Sequence, residues 1–254
     1  MLFLQYHIAP ILGIVAYVNY PKQIKINETL LHFLSVLHNG FLVAFSAWTF
    51  FSTSQILYQQ GIVFESNYYF QNPVFDHIMY CFYLSKYYEF FDTFLLYLNG
   101  KKPIFLQKYH HIGAVINWHL MYVYKVDMLW TVTLLNSFVH TIMYSYYLCC
   151  LLKINVRFLK QYITSMQLCQ FFVLYGNFYL YRPPIETWFN YCMIMIFALY
   201  GVGVIYLFGE FYYQSYIDKQ NTFNKNKKIH AITQENLQAL LQSEKNPEFE
   251  NRSE

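Results

Sequence analysis

Three charged residues and a threonine lie well inside an apolar stretch of the chain, residues 75–98. Lys86, Glu89 and Asp92 follow one another at steps of three, and Thr93 comes next, so all can share one stripe of a helix. An ammonium group and two carboxylates on one stripe can orient a bound group and stabilise charge that develops on it. A salt bridge between Lys86 and Glu89 is the structural alternative, but it leaves Asp92 unpaired.

The following apolar stretch begins with two adjacent histidines, in the sequence FLQKYHHIGAV. Gln107 and His110 share a helix face, and His111 lies beside them. Imidazole acts as a nucleophile, a general base or a metal ligand, so these residues are candidates for catalysis. Lys101 and Lys102 are candidates for binding phosphate, although lysines beside a membrane span often serve only as topology signals.

A third polar stripe follows in the sequence NSFVHTIMYSYY. Asn136 and His140 are spaced at i and i+4, and Met143, Tyr144 and Tyr147 extend the same face. The stripe adds an imidazole, an amide and two phenols to the candidate groups.

The next apolar stretch, which contains ITSMQLCQFF, places Thr164, Gln167 and Gln170 at steps of three. Taken alone, these amides fit hydrogen bonding between helices as well as they fit a site. However, four consecutive apolar stretches now carry a polar stripe, and none of the stripes can face lipid. We therefore expect the stripes to converge on an acid, base and nucleophile cluster inside an apolar wall. Such a cluster suits a long acyl chain with its reactive head at the cytosolic end.

The composition explains why lipid is the expected surrounding. Of 254 residues, 56% are hydrophobic and only 12% are charged, about half the usual charged fraction of a soluble domain. This excludes a disordered protein, a coiled coil and a typical cytosolic enzyme. The net charge of +3 is too small to indicate nucleic acid. The five cysteines lie in apolar runs without a CxxC pair, which argues against a disulfide scaffold or a zinc ribbon.

Seven stretches are long and apolar enough to cross a membrane. They lie near residues 2–20, 31–58, 75–98, 109–124, 128–151, 160–181 and 187–216. The connections after the first, third, fifth and seventh stretches carry twelve Lys and Arg residues, and the other three carry two. This alternation predicts an all-α, seven-span membrane protein with a cytosolic C-terminus. We expect residues 1–218 to form the membrane domain and residues 219–254 a polar, mobile cytosolic tail, with a short helix over 231–242.

The polar stripes resemble, in order, the sequence boxes of one enzyme family. KYYEFFDT resembles KxxExxDT, QKYHH a histidine box, NSFVHTIMYSYY the pattern NxxxHxxMYxYY, and ITSMQLCQ the pattern TxxQxxQ. These are the boxes of the ELO family of very-long-chain fatty acid elongases, and YLFGEFYYQSY is also similar to that family. The resemblance implies an endoplasmic reticulum acyltransferase, a 3-oxoacyl-CoA synthase, in which six of seven membrane helices enclose an acyl-chain tunnel. It would condense a long-chain acyl-CoA with malonyl-CoA, releasing CO2 and CoA.

The resemblance also implies roles for individual residues. His110 would take the acyl group as an acyl-imidazole, while His111 and His140 would assist proton transfer. Four residues would position the thioester and stabilise enolate charge: Lys86, Glu89, Asp92 and Asn136. The candidates for binding substrate are Thr93, Lys101, Lys102, Gln107, Tyr144, Tyr147, Gln167 and Gln170. No bound cofactor or metal is expected, because decarboxylation of the malonyl group supplies the carbanion.

Two features depart from the common family pattern. Gln107 stands where the histidine box usually begins with histidine, as in some branches that elongate polyunsaturated chains, and an amide can only orient by hydrogen bonds. The chain ends in NRSE rather than in a dilysine signal, so residence in the reticulum rests on the resemblance. The implied partners are the reductases and dehydratase of the elongation cycle, and a homodimer is compatible with the sequence.

Two other function classes fit parts of the pattern. A di-iron desaturase or hydroxylase also uses membrane histidine boxes, but by resemblance it needs about eight imidazole ligands. Only His110, His111 and His140 lie in the clustered boxes. A seven-span transporter or receptor would use the polar stripes as a path for protons or substrate, but the chain has no internal repeat.

Overall fold

The structure is a computed structural model that describes residues 2–20, 24, 26–63, 68–126, 128–180 and 188–245. Within these ranges the regular structure is helical and includes no strand, which confirms the all-α prediction. The predicted loop cations Lys22, Lys25 and Arg182 and the terminal NRSE lie outside the described residues.

Each predicted membrane stretch is helical. The helices of the described part are α1 (Leu2–Val18), α2 (Glu28–Gln60), α3 (Pro73–Tyr88), α4 (Phe90–Leu98), α5 (Phe105–Val123), α6 (Leu129–Leu151), α7 (Lys160–Leu180), α8 (Trp188–Tyr212) and α9 (Lys219–Lys245). The stretch over 75–98, expected as one helix, is divided into α3 and α4 at Glu89. A π-helical segment, Tyr213–Asp218, lies between α8 and α9.

The chain divides into two compact units, Met1–Phe208 and Gly209–Glu254. All candidate site residues belong to the first unit. In the second unit, α9 runs from Lys219 to Lys245, so the short helix expected over 231–242 is longer than predicted. The assignment of residues 219–254 to the cytosol stays a prediction.

The distribution of polar and apolar side chains on α2 is the reverse of that on a helix in a soluble protein. Its exposed positions include Leu30, Phe33, Leu37, Phe41 and Phe51. Its buried face is largely polar, with Ser35, His38, Asn39, Ser46, Thr49 and Thr53 among its members. Small and polar residues inside and large apolar residues outside are typical of a helix that packs in lipid.

Within the described residues, two helical runs are long and apolar enough to cross a membrane, Glu28–Gln60 and Met195–Gln238. A shorter apolar helix covers His7–Val18. The number of seven spans therefore stays a prediction.

The helices that carry the polar stripes pack directly on one another. The most extensive contact joins α2 to α6, and α3 packs on α5 while α6 packs on α7. The short helix α4 contacts α2 and α5, and α1 lies against α5. The first residues of α4 reach α2, α5 and α6 at once, whereas convergence of the α7 stripe on the same cluster stays a prediction.

Glycine and tyrosine residues interlock α5 with α8. A side chain at Gly113 would overlap the ring of Tyr200, and one at Gly203 would overlap the hydroxyl end of Tyr109. The two tyrosine rings stack with centroids 5.7 Å apart. We call these four residues the α5–α8 seam. Each helix thus provides a glycine that accommodates the other helix's tyrosine, which sets their relative register.

Gly113→Ala is expected to lower the free energy of unfolding by about 1–3 kcal/mol, because the added methyl group must displace the Tyr200 ring. Gly40→Ala is the matched control, since nothing lies within 4 Å of a Cβ built at Gly40 in α2. That variant should be neutral or more stable by about 0.5–1 kcal/mol. Thermal unfolding of both proteins in detergent measures the difference. Equal stability of the two variants would contradict the interlock.

Candidate active site

Lys86 forms the centre of a buried polar group at the end of α3. Its Nζ donates hydrogen bonds to Glu89 Oε1 at 2.7 Å and to Asn136 Oδ1 at 2.9 Å. The ammonium also lies 4.0 Å from the ring centroid of Phe82 and 4.7 Å from that of Trp118. Lys86 is 1% exposed and Glu89 2%. The salt bridge between them is therefore present, and it holds a positive charge inside the helix bundle.

Glu89 joins this group to a candidate catalytic histidine. It is the single residue between α3 and α4, with its backbone N–H still bonded to Ser85 at 2.9 Å. Its Oε1 lies 3.5 Å from Nδ1 of His140, which is buried on α6. The carboxylate therefore faces an ammonium and an imidazole together, and this can orient the His140 ring.

Asp92, which the Lys86–Glu89 salt bridge does not include, has two partners of its own. Its Oδ1 lies 2.9 Å from Nε2 of His38, and its Oδ2 accepts a 2.7 Å hydrogen bond from Tyr144. Asp92 is 20% exposed and His38 5%. Nδ1 of His38 is buried and has no hydrogen-bond partner among the described residues. A histidine and a tyrosine from α2 and α6 thus hold this carboxylate.

His38 lies outside the four polar stripes predicted from the sequence, yet its contact with Asp92 makes it part of the candidate site. A signal for it exists in the sequence. Residues 31–58 carry polar side chains at helical spacing, and these form the buried face of α2. The argument used for residues 75–98, that polar groups inside a membrane helix point inward, applies equally here.

Thr93 connects three helices through its hydroxyl. Gln107 Nε2 donates to Thr93 Oγ1 at 3.1 Å, and the Tyr17 hydroxyl lies 3.0 Å from the same oxygen. Tyr17 is buried on α1, a helix to which the sequence analysis assigned no site residue. Gln107, which occupies the first position of the histidine box, is thus hydrogen-bonded to Thr93.

The two adjacent histidines lie at the start of α5, with ring centroids 6.0 Å apart. Nδ1 of His110 lies 3.0 Å from the hydroxyl of Tyr200 on α8. His111 is buried, its Nδ1 has no partner in the described part of the chain, and its ring centroid lies 6.2 Å from that of Tyr17. Tyr200 was not predicted, because nothing in its spacing separates it from the other 26 tyrosines.

The remaining candidate residues lie on α6, on α7 and in the connection between α4 and α5. Tyr147 is exposed, with its ring 6.1 Å from that of Tyr144. On α7, Gln167 lies 2.9 Å from the Met143 sulfur, and Gln170 is buried. Lys101 and Lys102 are exposed in the connection between α4 and α5. In the described part of the chain, no hydrogen bond joins Gln167, Gln170 or the two lysines to the groups around Lys86, Asp92 or His110.

Two other histidines belong to a separate hydrogen-bonded cluster of histidine and tyrosine side chains. His7 Nδ1 lies 2.9 Å from His119 Nε2, and His119 Nδ1 lies 3.0 Å from the hydroxyl of Tyr83. The Tyr83 hydroxyl is in turn 2.7 Å from that of Tyr87. These bonds join α1, α3 and α5, so His7 and His119 connect helices of the bundle.

A metal centre would need several ligands close together. Among the residues that the structure describes, no group of three His, Cys, Asp or Glu side chains could hold a metal ion. Three histidines of the candidate site, His38, His110 and His140, instead contact Asp92, Tyr200 and Glu89.

Comparison with known proteins agrees with the boxes. Residues 1–224 match the ELO family, described as the GNS1/SUR4 family. Fatty acid elongase sre1 of Dictyostelium discoideum is 35% identical over 155 residues, which are 59% of this chain and 58% of that protein. A putative fatty acid elongase of the same organism is 32% identical over 221 residues, 78% of this chain and 73% of the relative. Fatty acid elongase 2 of Trypanosoma brucei brucei is 32% identical over 155 residues, 57% of each chain.

The chain thus spans just under three-fifths of the first and third of these relatives, and nearly three-quarters of the second. The family match itself covers most of the chain, including every candidate site residue. This chain therefore belongs to the ELO family, whose relatives matched here are named fatty acid elongases.

Proposed function

We propose that this protein is the condensing enzyme of fatty acid elongation. It would join a long-chain acyl-CoA to two carbons of malonyl-CoA and release a 3-oxoacyl-CoA, CO2 and CoA. Membership of the ELO family supports this reaction class. The observation that carries this proposal is the hydrogen bonding of the His110 imidazole, which is half-buried. Among the described residues, this ring makes a hydrogen bond through Nδ1 only. The other ring nitrogen, Nε2, is thus available as a nucleophile.

The reaction divides into two steps at His110. In the first, the Nε2 lone pair attacks the thioester carbonyl, the C–S bond breaks, and CoA leaves as a thiolate that takes a proton from water. In the second, malonyl-CoA loses CO2 and its bonding electron pair remains on the α-carbon. That carbanion attacks the acyl carbon, the C–N bond breaks, and neutral His110 is restored.

The buried charges support this chemistry by position. Lys86, fixed by Glu89 and Asn136, would offset the negative charge that develops on the enolate oxygen. His140 and His111 would hold or move protons beside the reacting groups. Asp92, held by His38 and Tyr144, would keep the first turn of α4 oriented toward the substrate. Because Lys86 and Asp92 are already hydrogen-bonded, they need little rearrangement during the reaction.

The same proposal includes substrate and location. Gln107, hydrogen-bonded to Thr93, resembles the glutamine of some family branches, including elongases of polyunsaturated chains, so such acyl-CoAs are proposed substrates. We place the protein in the endoplasmic reticulum membrane with a cytosolic C-terminus, where the reductases and dehydratase of the cycle would take up its product.

The test uses membranes that contain the full chain, radiolabelled malonyl-CoA, and a panel of saturated and polyunsaturated acyl-CoAs without NADPH. Labelled 3-oxo products with some acyl chains would establish condensation and identify the preferred chain. The proposed reaction would be overturned if no acyl-CoA gave a labelled product while cooperative unfolding showed that the protein was folded.

Asp92→Asn is expected to lower the condensation rate by about 10²-fold, because the neutral amide weakens the bonds to His38 and Tyr144. Asp76→Asn is the matched control in the same polar stretch. Asp76 pairs with Lys125 at a half-exposed position and belongs to none of the described contacts of the candidate site. Equal rates for the two variants in the labelling assay would show that Asp92 does not act in the reaction.

A further inference from the structure

We infer that Tyr200 is a positioning residue that keeps His110 protonated on Nδ1, so that Nε2 is the nitrogen that receives the acyl group. The inference rests on the proposed function, because it assigns the atom that reacts. Tyr200 belongs to none of the sequence boxes, and it acts through His110.

The geometry around the Tyr200 hydroxyl leads to this assignment. Its oxygen lies 3.0 Å from Nδ1 of His110 and 3.2 Å from the backbone carbonyl oxygen of the same residue. A carbonyl oxygen can only accept, and a phenol has one proton to donate. Both contacts are hydrogen bonds only if Tyr200 donates to the carbonyl and accepts from Nδ1–H. The arrangement that satisfies both therefore leaves the Nε2 lone pair free.

The α5–α8 seam holds the hydroxyl in this place. The Tyr200 ring occupies the space that the absent side chain of Gly113 leaves, three residues after His110. On its other side the ring stacks on Tyr109. The hydroxyl is thus positioned by packing as well as by its own bonds, and it faces the ring and the carbonyl of one residue together.

The assignment also balances the two reaction steps. Acylation of Nε2 while Nδ1 keeps its proton gives a cationic acyl-imidazolium, which is a better acyl donor than a neutral acyl-imidazole. Attack by the carbanion then releases neutral His110 with its proton still on Nδ1. Tyr200 accepts the same hydrogen bond before, during and after acyl transfer, so no proton has to return to the ring.

Tyr200→Phe removes the hydroxyl and keeps the ring in the seam. Tyr109→Phe is the matched control, since its hydroxyl makes a 3.5 Å bond to the Tyr200 carbonyl and does not touch the His110 ring. With acyl-CoA and no malonyl-CoA, the mass of the intact protein reports acylation. We expect Tyr200→Phe to acylate about 10-fold more slowly and Tyr109→Phe to acylate at nearly the parental rate.

Nitrogen-15 spectra of histidine-labelled protein in membranes give a readout that a structural role would not change. The His110 signals, identified by their loss in His110→Ala, should show a protonated Nδ1 that shifts toward the other tautomer in Tyr200→Phe. A protonated Nε2 in the parent protein would overturn the inference even if the variant fails to fold. Unchanged acylation in Tyr200→Phe, with His110→Ala inactive, would overturn it and leave the proposed function standing. Absence of condensation by the parent protein would instead overturn the proposed function.

Discussion

His110→Ala is expected to lower the rate of 3-oxoacyl-CoA formation by about 10³-fold or more, because it removes the nitrogen that accepts the acyl group. The variant should also fail to gain the mass of an acyl group when mixed with acyl-CoA alone. The loss should appear in the rate at saturating substrate, since the thioester binds through other residues.

His32→Ala is the control for this experiment. His32 is exposed on α2 and lies outside the candidate site, so its loss should leave the rate within about twofold. His110→Ala should retain the thermal unfolding transition, because the Tyr200 ring remains in the seam. Turnover near the parental rate in a folded His110→Ala protein would remove His110 as the nucleophile.

Lys86→Met is expected to destabilise the protein by about 3–5 kcal/mol and to abolish turnover. The substitution leaves Glu89 as a buried carboxylate without its ammonium partner, and an uncompensated buried charge has a cost of this size. Unfolding in detergent and the labelled malonyl-CoA assay measure the two effects. Lys225→Met is a suitable control, because Lys225 is exposed on α9.

The double variant Lys86→Met, Glu89→Met separates stability from activity. Removing both charges should recover much of the lost stability, since apolar residues of similar volume often replace a buried ion pair without penalty. Activity should stay absent, because the charge near the reacting groups is gone. Turnover in the double variant would show that the pair serves only the fold.

Helix positions were predictable from the sequence because apolar length is a local property. The predicted segments coincide with α1 to α8 to within a few residues at most boundaries. The division of α3 from α4 at Glu89 was not predictable, since no glycine or proline marks it. The division between the helices instead falls at Glu89, whose carboxylate contacts Lys86 on α3 and His140 on α6. Contacts with two different helices cannot be read from local sequence.

The composition of the site was partly predictable for a related reason. Spacing shows which side chains share a face, and the i,i+3 spacing of Lys86 and Glu89 allows the salt bridge that the structure contains. Spacing within one helix does not show which residues of another helix face that stripe. The partners of Asp92 come from α2 and α6, 54 and 52 positions away. Tyr200, 90 positions from His110, was not predictable for the same reason.

The α5–α8 seam limits how the sequence can drift during evolution. A residue larger than glycine at position 113 needs a smaller side chain at position 200. That replacement would also remove the hydroxyl beside His110. The two positions are therefore free to change only as a pair. A lineage that changes them must obtain another hydrogen-bond acceptor for Nδ1–H of His110. In contrast, Phe33, Leu37 and Phe51 on the outer face of α2 can exchange with other apolar residues independently. Divergence in this protein should concentrate on the outer faces of its helices and leave the line between Gly113 and Tyr200 almost unaltered.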